Sequence, residues 1–284
     1  MRLLITGAGG QLGIDLVRCC ETAGDDVIAT TRRDLDISDR DAVHGAVSML
    51  RPDAVINCAA WTAVDACEGD PHRAVAQNGL AVRWLAESCD SAGARLVQIG
   101  TDYVFDGLLD RPYHEWDDPA PQSVYGASKL FGEREALAMG TDAAVVRTSW
   151  VCGQHGSNMV KTIMRLATEH KELAFVSDQV GHPTFTADLA PMIRRIAAER
   201  RSGIHHVTNQ TPTSWYGFAR DVVAAMGKEP DMVRPITTAD LTPARPAPRP
   251  ANSVLDNAVL RMAGIVLLRD FGDPLRETVN ALTQ

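Results

Sequence analysis

The stretch Ile5-Thr6-Gly7-Ala8-Gly9-Gly10-Gln11-Leu12-Gly13 decides the fold. Before it runs a short apolar segment, Arg2–Thr6, and after it Gln11–Ala23 carries apolar residues at helical spacing, so the glycines occupy a strand-to-helix turn. In such a turn Gly7 permits the tight bend, Gly10 lets a pyrophosphate approach the backbone, and Gly13 lets the helix pack closely on the strand. Gln11 and Leu12 open that helix, whose N-terminal N–H groups hold the anion. The spacing is GxxGxxG; position 12 is Leu, so GxGxxG does not fit.

Downstream, short apolar runs alternate with helical stretches. Strands are expected at Asp26–Thr30, Ala54–Cys58, Arg95–Ile99 and Ala143–Arg147, and helices at Asp39–Leu50, Pro71–Ser91 and Val124–Met139. Ser38 with Asp41 three residues on has the form of a capping box, and Pro71 suits a first helical turn. The alternation predicts an α/β fold in which residues 1–150 form a Rossmann-type doubly wound parallel sheet that binds NAD(P). After Ser149 it loosens, with helices expected at Asn158–Glu169, Asp188–Arg200, Trp215–Met226 and Pro274–Ala281 and strands at Leu173–Val176 and Ile204–Val207. Residues 151–284 thus read as a smaller α+β lobe, mainly substrate-binding, with parts returning to the main sheet. The alternating prolines of Thr242–Asn252, TPARPAPRPAN, favour an extended, semi-rigid loop.

With 284 residues, 45% hydrophobic and 23% charged, the chain has the balance of a globular protein with a sizeable core. A net charge of −8 argues against nucleic acid or an anionic membrane as the main partner, because either demands a basic face. The apolar run before the glycines is too short for a secretory leader, so a cytoplasmic location is expected. Cys19, Cys20, Cys58, Cys67, Cys89 and Cys152 form no CxxC pair, and the histidines, including His182, His205 and His206, form no HxxxH pattern. Both sets read as structural, and no catalytic metal is expected.

Tyr125 and Lys129 stand four apart in Ser-Val-Tyr-Gly-Ala-Ser-Lys, at the start of an expected helix, and so share one face. An ammonium there favours phenolate and is expected to lower the tyrosine pKa from its usual value of about 10. The fourth strand ends Gln98-Ile99-Gly100-Thr101-Asp102-Tyr103, which puts the Thr101 hydroxyl at the carboxyl edge, where open α/β sheets keep their sites. The three suit carbonyl reduction: hydride arriving at carbon builds negative charge on oxygen, and a positioned acid neutralises it.

The second strand ends Ala29-Thr30-Thr31-Arg32-Arg33. NAD-selective sites place a carboxylate at that tip; here two guanidiniums and two hydroxyls suit a 2′-phosphate, although Asp34 and Asp36 follow at once. NADPH is therefore expected to be preferred about 3- to 30-fold in catalytic efficiency, with NADH also used. Arg249 and Asn252, beside the prolines, suit a clamp on a diphosphate or deoxyribose. Trp150 at a strand end suits stacking on a base or sugar, a core position being its alternative.

Together these motifs resemble the extended short-chain dehydrogenase/reductases and, within them, the dTDP-4-dehydrorhamnose reductase family. The resemblance covers almost the whole chain: ITGAGGQLG at 5–13, RPDAVINCAAWTAVDACE at 51–68, TDYVFDG at 101–107, P-x-S-x-YGASKLFGE at 121–133, VRTSW at 146–150, DQVGHPTFTADLA at 178–190 and RPANSVLD at 249–256. It implies nicotinamide-dependent reduction of the 4-keto group of a dTDP-6-deoxy-L-hexulose, with Thr101, Tyr125 and Lys129 catalytic and Lys129 also bonding the nicotinamide ribose. It further implies that Asn57, Cys58, Ala59 and Ala60 form the loop beside the cofactor, that Asp36 and Ile37 lie by the adenine, and that Thr62, Asp102, Tyr103 and Trp150 face the sugar nucleotide. Some members hold a magnesium ion between subunits through acidic side chains, for which Asp15 is the one counterpart here. A monomer or homodimer is expected. Cys152, Gly100 and Trp61 depart from the family's usual tyrosine, serine, and His or Tyr. Two alternatives stay open: a 4-ketoreductase for another dTDP-deoxysugar, and a silent NADP-binding regulatory subunit, against which the intact Thr101, Tyr125 and Lys129 argue. An epimerase or dehydratase wants a further acid or base beside Thr101. Asp102 stands there, but position 103 is Tyr where the dehydratase pattern has Glu.

Overall fold

A computed structural model describes residues 1–138 and 142–284. Among them, six parallel strands form one sheet: β1 (Arg2–Thr6), β2 (Asp26–Thr30), β3 (Ala54–Asn57), β4 (Arg95–Ile99), β5 (Ala143–Arg147) and β6 (Gly203–His206). Their spatial order is β6-β5-β4-β3-β1-β2. The chain direction across the sheet reverses between β1 and β3, and such a switch point opens a crevice at the carboxyl ends of the strands. There Thr6 pairs in register with Asn57. A buried polar ladder crosses the edge: the Thr6 hydroxyl donates to Asn57 Oδ1 at 2.6 Å, and Asn57 Nδ2 donates to Gln98 Oε1 at 2.7 Å.

The middles of β1, β3, β4 and β5 are mainly apolar and buried because both faces of the sheet are covered. On one face Leu3, Ile5 and Val97 pack beneath α1 (Gln11–Thr22) and the Thr186–Ala198 helix, through Leu16 and Ile193. On the other, Leu4 and Val55 meet α2 (Arg40–Leu50) and the Ala81–Ala92 helix through Val47 and Leu85. A separate apolar cluster, with Ile163, Phe218, Val222 and Leu275, gathers the helices Met159–Glu169, Trp215–Ala225 and Gly272–Thr283. Beside it Leu173–Val176 pairs in parallel with Val233–Ile236. Both β6 and the Thr186–Ala198 helix, although late in the chain, build the main sheet and its cover.

Three local expectations are corrected. Asp39, not Ser38, caps α2 by accepting the Ala42 N–H at 3.0 Å, because the Asp36 carboxylate has already captured the Ser38 hydroxyl at 2.6 Å. The single helix expected over Pro71–Ser91 is two, Pro71–Val75 and Ala81–Ala92, joined by a π-helical turn at Ala76–Leu80. A short helix, Val64–Gly69, precedes them unforeseen. Of the helix expected over Val124–Met139, Val124–Ala138 is present, and Met139 lies outside the described residues.

Candidate active site

At the carboxyl edge of β1 and β3 lies a cleft of about 570 Å³, lined by Gly7, Gly10, Arg32, Asp36, Ile37 and the backbone run Cys58 to Ala60. Gly7 has φ +68°, and a Cβ there would stand 2.7 Å from the Ala59 nitrogen, so only glycine fits. A Cβ at Gly13 would lie 2.7 Å from the Ala8 Cα, which is the close helix-on-turn packing expected of it. Gly10 opens α1 with no side-chain cap, leaving the first N–H groups of the helix free for an anion. Leu12 is buried in the core beneath, so its side chain does not face the cleft. The Gln11 side chain is spent elsewhere: Nε2 donates to the Val151 carbonyl at 2.9 Å and Oε1 accepts from Asn158 at 2.6 Å. Gln77 and Ser38 also line the cleft, which no motif had marked.

Arg32 and Arg33 stand exposed at the mouth, with Arg32 Nε 3.2 Å from Asp36 Oδ2. The two hydroxyls expected to help them do not. Thr30 donates to the Ile5 carbonyl, and Thr31 donates to Asp34 at 2.7 Å, which locks that carboxylate into the turn. The guanidiniums are the groups left for a 2′-phosphate. This cradle of free helix N–H groups, glycine-walled turn and exposed arginines fits a phosphorylated dinucleotide.

Tyr125 and Lys129 are both buried on the Val124–Ala138 helix. Glycines let that helix sink: a Cβ on Gly126 would strike the Tyr103 carbonyl, and one on Gly132 the Asn78 carbonyl. Lys129 Nζ donates to the Ile99 carbonyl at 2.6 Å. The Thr101 hydroxyl donates to Asp102 Oδ1 at 3.0 Å and lies within hydrogen-bonding reach of the Tyr125 phenol. Tyr103 meets Tyr125 edge to face with ring centroids 5.5 Å apart. Thr101, Asp102, Tyr103, Tyr125 and Lys129 are thus brought to one corner.

The electrostatics of that corner correct one expectation. Burial raises the Tyr125 pKa, against the opposing pull of the Thr101 hydrogen bond, and Lys129 does not reverse it. Burial also lowers the Lys129 ammonium to about 8. Desolvation outweighs the contact that favours the anion, so the phenol is protonated at neutral pH. Asp102, buried beside it, is pushed up to about 6, and Tyr103 to about 12, chiefly by burial in each case.

The π-helical turn supplies a residue that sequence reasoning missed. Asn78, turned inward, accepts the Trp61 N–H at 2.8 Å, donates to the Trp61 carbonyl at 3.1 Å and donates to Ser128 Oγ at 3.0 Å. It ties the loop after β3 to the helix of Tyr125. A lone Asn inside an apolar helical stretch was the available signal.

The expected substrate residues are less uniform. Thr62 is exposed on the loop after β3. Trp150 has φ +45° and stacks on Trp215 at 3.6 Å between centroids, so one ring face is taken by protein. Arg249 is no free clamp: it forms a fork with Asp65 at 2.5 and 2.7 Å and donates to the Ala247 carbonyl, tethering the proline-rich segment to the Val64–Gly69 helix. Asn252 spends both amide hydrogens on the Leu109 and Arg111 carbonyls at 2.8 and 2.9 Å, holding a loop rather than a ligand. Asp15 is engaged by Thr186 and lies 3.5 Å from His155 Nε2. Among the described residues no group of three or more His, Cys, Asp or Glu is placed to hold a metal, and no helix is long and apolar enough to cross a membrane.

The family model described as the RmlD substrate binding domain matches residues 1–284. A dTDP-4-dehydrorhamnose reductase of Streptomyces griseus is 42% identical, with 99% of this chain and 94% of that protein covered. A dTDP-4-keto-6-deoxy-D-glucose reductase of Streptomyces niveus is 38% identical, covering 100% and 96%. The crystal structure of a dTDP-4-dehydrorhamnose reductase from Bacillus anthracis, in complex with NADP, superimposes with a TM-score of 0.94 at 35% identity over 99% of both chains. With its whole length, residues 1–284, matched by that family model, this chain belongs to the RmlD substrate binding domain family.

Proposed function

We infer that this protein is an NADPH-dependent oxidoreductase that reduces the 4-keto group of a dTDP-activated 6-deoxyhexulose, dTDP-4-dehydro-L-rhamnose being the substrate and dTDP-L-rhamnose the product. The observation that carries this reading is the convergence of Thr101, Tyr125 and Lys129 at the sheet edge beside the cleft of α1. NADPH, when bound, supplies the hydride. Gly7, Gly10 and the α1 N-terminus take the pyrophosphate, Ile37 and Asp36 border the adenine, Cys58 to Ala60 flank the nicotinamide half, and Arg32 and Arg33 receive the 2′-phosphate. The neutral Tyr125 gives its proton to the carbonyl oxygen as charge develops there, the Thr101 hydroxyl bonds the same oxygen, and Lys129 supplies the cationic field behind them. Thr62, Asp102, Tyr103 and the open edge of Trp150 orient the sugar nucleotide. Residues 1–150 carry the cofactor and 151–284 mainly the substrate, in a monomer or homodimer.

The test is incubation with NADPH and freshly prepared dTDP-4-dehydro-L-rhamnose, following cofactor absorbance and identifying the product sugar. Consumption of NADPH with formation of dTDP-L-rhamnose is the expected result; no turnover with that sugar would defeat the reading. The Streptomyces niveus relative favours a second substrate of the same class, dTDP-4-keto-6-deoxy-D-glucose, which the same assay compares by catalytic efficiency.

A further inference from the structure

Tyr125, Lys129 and Glu133 recur at four-residue spacing along one face of the Val124–Ala138 helix, and the third has so far been given nothing to do. Glu133 and Arg147 of β5 are each 2% exposed. Glu133 Oε2 accepts from Arg147 Nε at 3.0 Å and lies 2.9 Å from Nη2. Glu133 Oε1 makes no hydrogen bond among the described residues and points at the backbone between β4 and Thr101: a Cβ added to Gly100 would stand 2.5 Å from it and 3.0 Å from Arg147 Cγ. The absence of a side chain at position 100 is what admits the carboxylate. A buried ion pair contributes little net stability over an apolar pair of similar size, because desolvation offsets the attraction. Core stability alone therefore does not explain two charges directly behind the catalytic corner.

The groups around Lys129 and Glu133 are few. Lys129 is faced by Glu133 on its own helix and by the Cys58 thiol beyond β3, and Glu133 opposes the burial that drives the ammonium down. Burial raises the Glu133 carboxyl above the usual carboxylate range, against Arg147 from β5, Lys129 and the Thr101 backbone N–H, which favour its ionised form. We propose that Glu133, clamped by Arg147 and set against Gly100, is the positioning residue that seats the Ile99–Thr101 backbone to which Lys129 Nζ is bonded, and so holds Lys129 in register with Tyr125 and Thr101 at the sheet edge. This rests on the reading of Thr101, Tyr125 and Lys129 as the catalytic set. Removing the carboxylate takes away the charge that most opposes the burial of Lys129, so its ammonium loses a proton more readily.

The experiment is the pH profile of kcat for the full-length enzyme with NADPH and the sugar nucleotide, comparing wild type with Glu133→Gln and Glu133→Asp. In Glu133→Gln the high-pH limb is expected to move down by about one pH unit or more, with kcat on that limb falling about tenfold and KM for the sugar changing little. Glu133→Asp, which keeps the charge, is expected to recover much of the limb's position. Since Glu133→Gln strands a buried guanidinium, the double variant Glu133→Gln/Arg147→Met is measured beside it, with folding checked by thermal unfolding, and carries the decision if the single variant does not fold. A profile in either folded variant that superimposes on wild type overturns the proposal. Tyr125→Phe and Lys129→Met, run in parallel, separate the two layers: full activity in these faults the catalytic reading itself. Loss of activity there with unmoved Glu133 profiles faults the positioning role alone.

Discussion

The phenol of Tyr125 stays protonated because burial outweighs every contact that would favour its anion, and the neutral form is the one able to donate to a developing alkoxide. Deleting only that hydroxyl, in Tyr125→Phe, is expected to lower kcat by about 10²- to 10⁴-fold while NADPH affinity, read by fluorescence titration, hardly moves. Turnover above about a third of wild type would remove Tyr125 from its role. At the opposite end of the cleft, Arg32 and Arg33 are exposed and share the mouth with Asp36. Replacing both by Ala is expected to erase most of an NADPH preference of about 3- to 30-fold, worth about 0.7 to 2 kcal/mol, without slowing NADH use. Steady-state efficiencies with the two cofactors decide it, and equal efficiencies in the wild type would refute the phosphate reading. The placement of these residues was legible because Tyr-x-x-x-Lys on a helix and an arginine pair at a strand tip declare themselves by type and spacing. The direction of the Tyr125 shift was not, since it depends on how deeply the helix is buried. Nor was the engagement of Arg249 with Asp65, far apart in sequence and joined only by the fold.

Among the elements, the Ala76–Leu80 turn shows how one irregular segment shapes a site. A π-helical turn carries an extra residue, and here the surplus rotates Asn78 inward to span Trp61 and Ser128. Asn78→Ala would strand the Trp61 N–H and carbonyl, and is expected to cost about 2 to 4 kcal/mol in urea unfolding and to slow turnover as the loop after β3 loosens. Unchanged stability would mean that water or backbone replaces the amide. Apolar periodicity located the parent helix but could not reveal the break, because a π turn leaves propensity untouched and is stabilised by partners distant in sequence. The β1–α1 turn was readable for the converse reason: Gly7 and Gly13 are demanded by contacts within the same short unit.

For the molecule as a whole, burial sets the response to acid. His182 and His206 are driven down to about 4 and about 3, and His205 is also lowered, each chiefly by desolvation. Below the unfolded histidine value of about 6.5 the unfolded chain binds protons that the folded chain refuses, so stability falls as pH drops from there toward the folded values. Asp102 acts with the opposite sign: raised to about 6, it takes a proton more readily when folded and gives up stability as pH rises through that value. The histidines outweigh it, and stability at pH 5 is expected to be about 2 kcal/mol below that at pH 7 in urea titrations. His206→Gln should flatten the difference; a wild-type curve level between the two pH values would contradict it. The sheet's parallel character and most of its strands could be read along the chain, whereas the seating of β6 against β5 is a long-range pairing that local pattern does not encode. That seating limits how the protein can be re-engineered. A fragment ending near Trp150 would bare the β5 main chain along Ala144, Val145 and Val146, an apolar edge that recruits strands from neighbouring copies. Chimeras between relatives should therefore leave β6 and the Thr186–Ala198 helix with the recipient and exchange only the loops above the sheet: the transplantable unit is the rim, not the half.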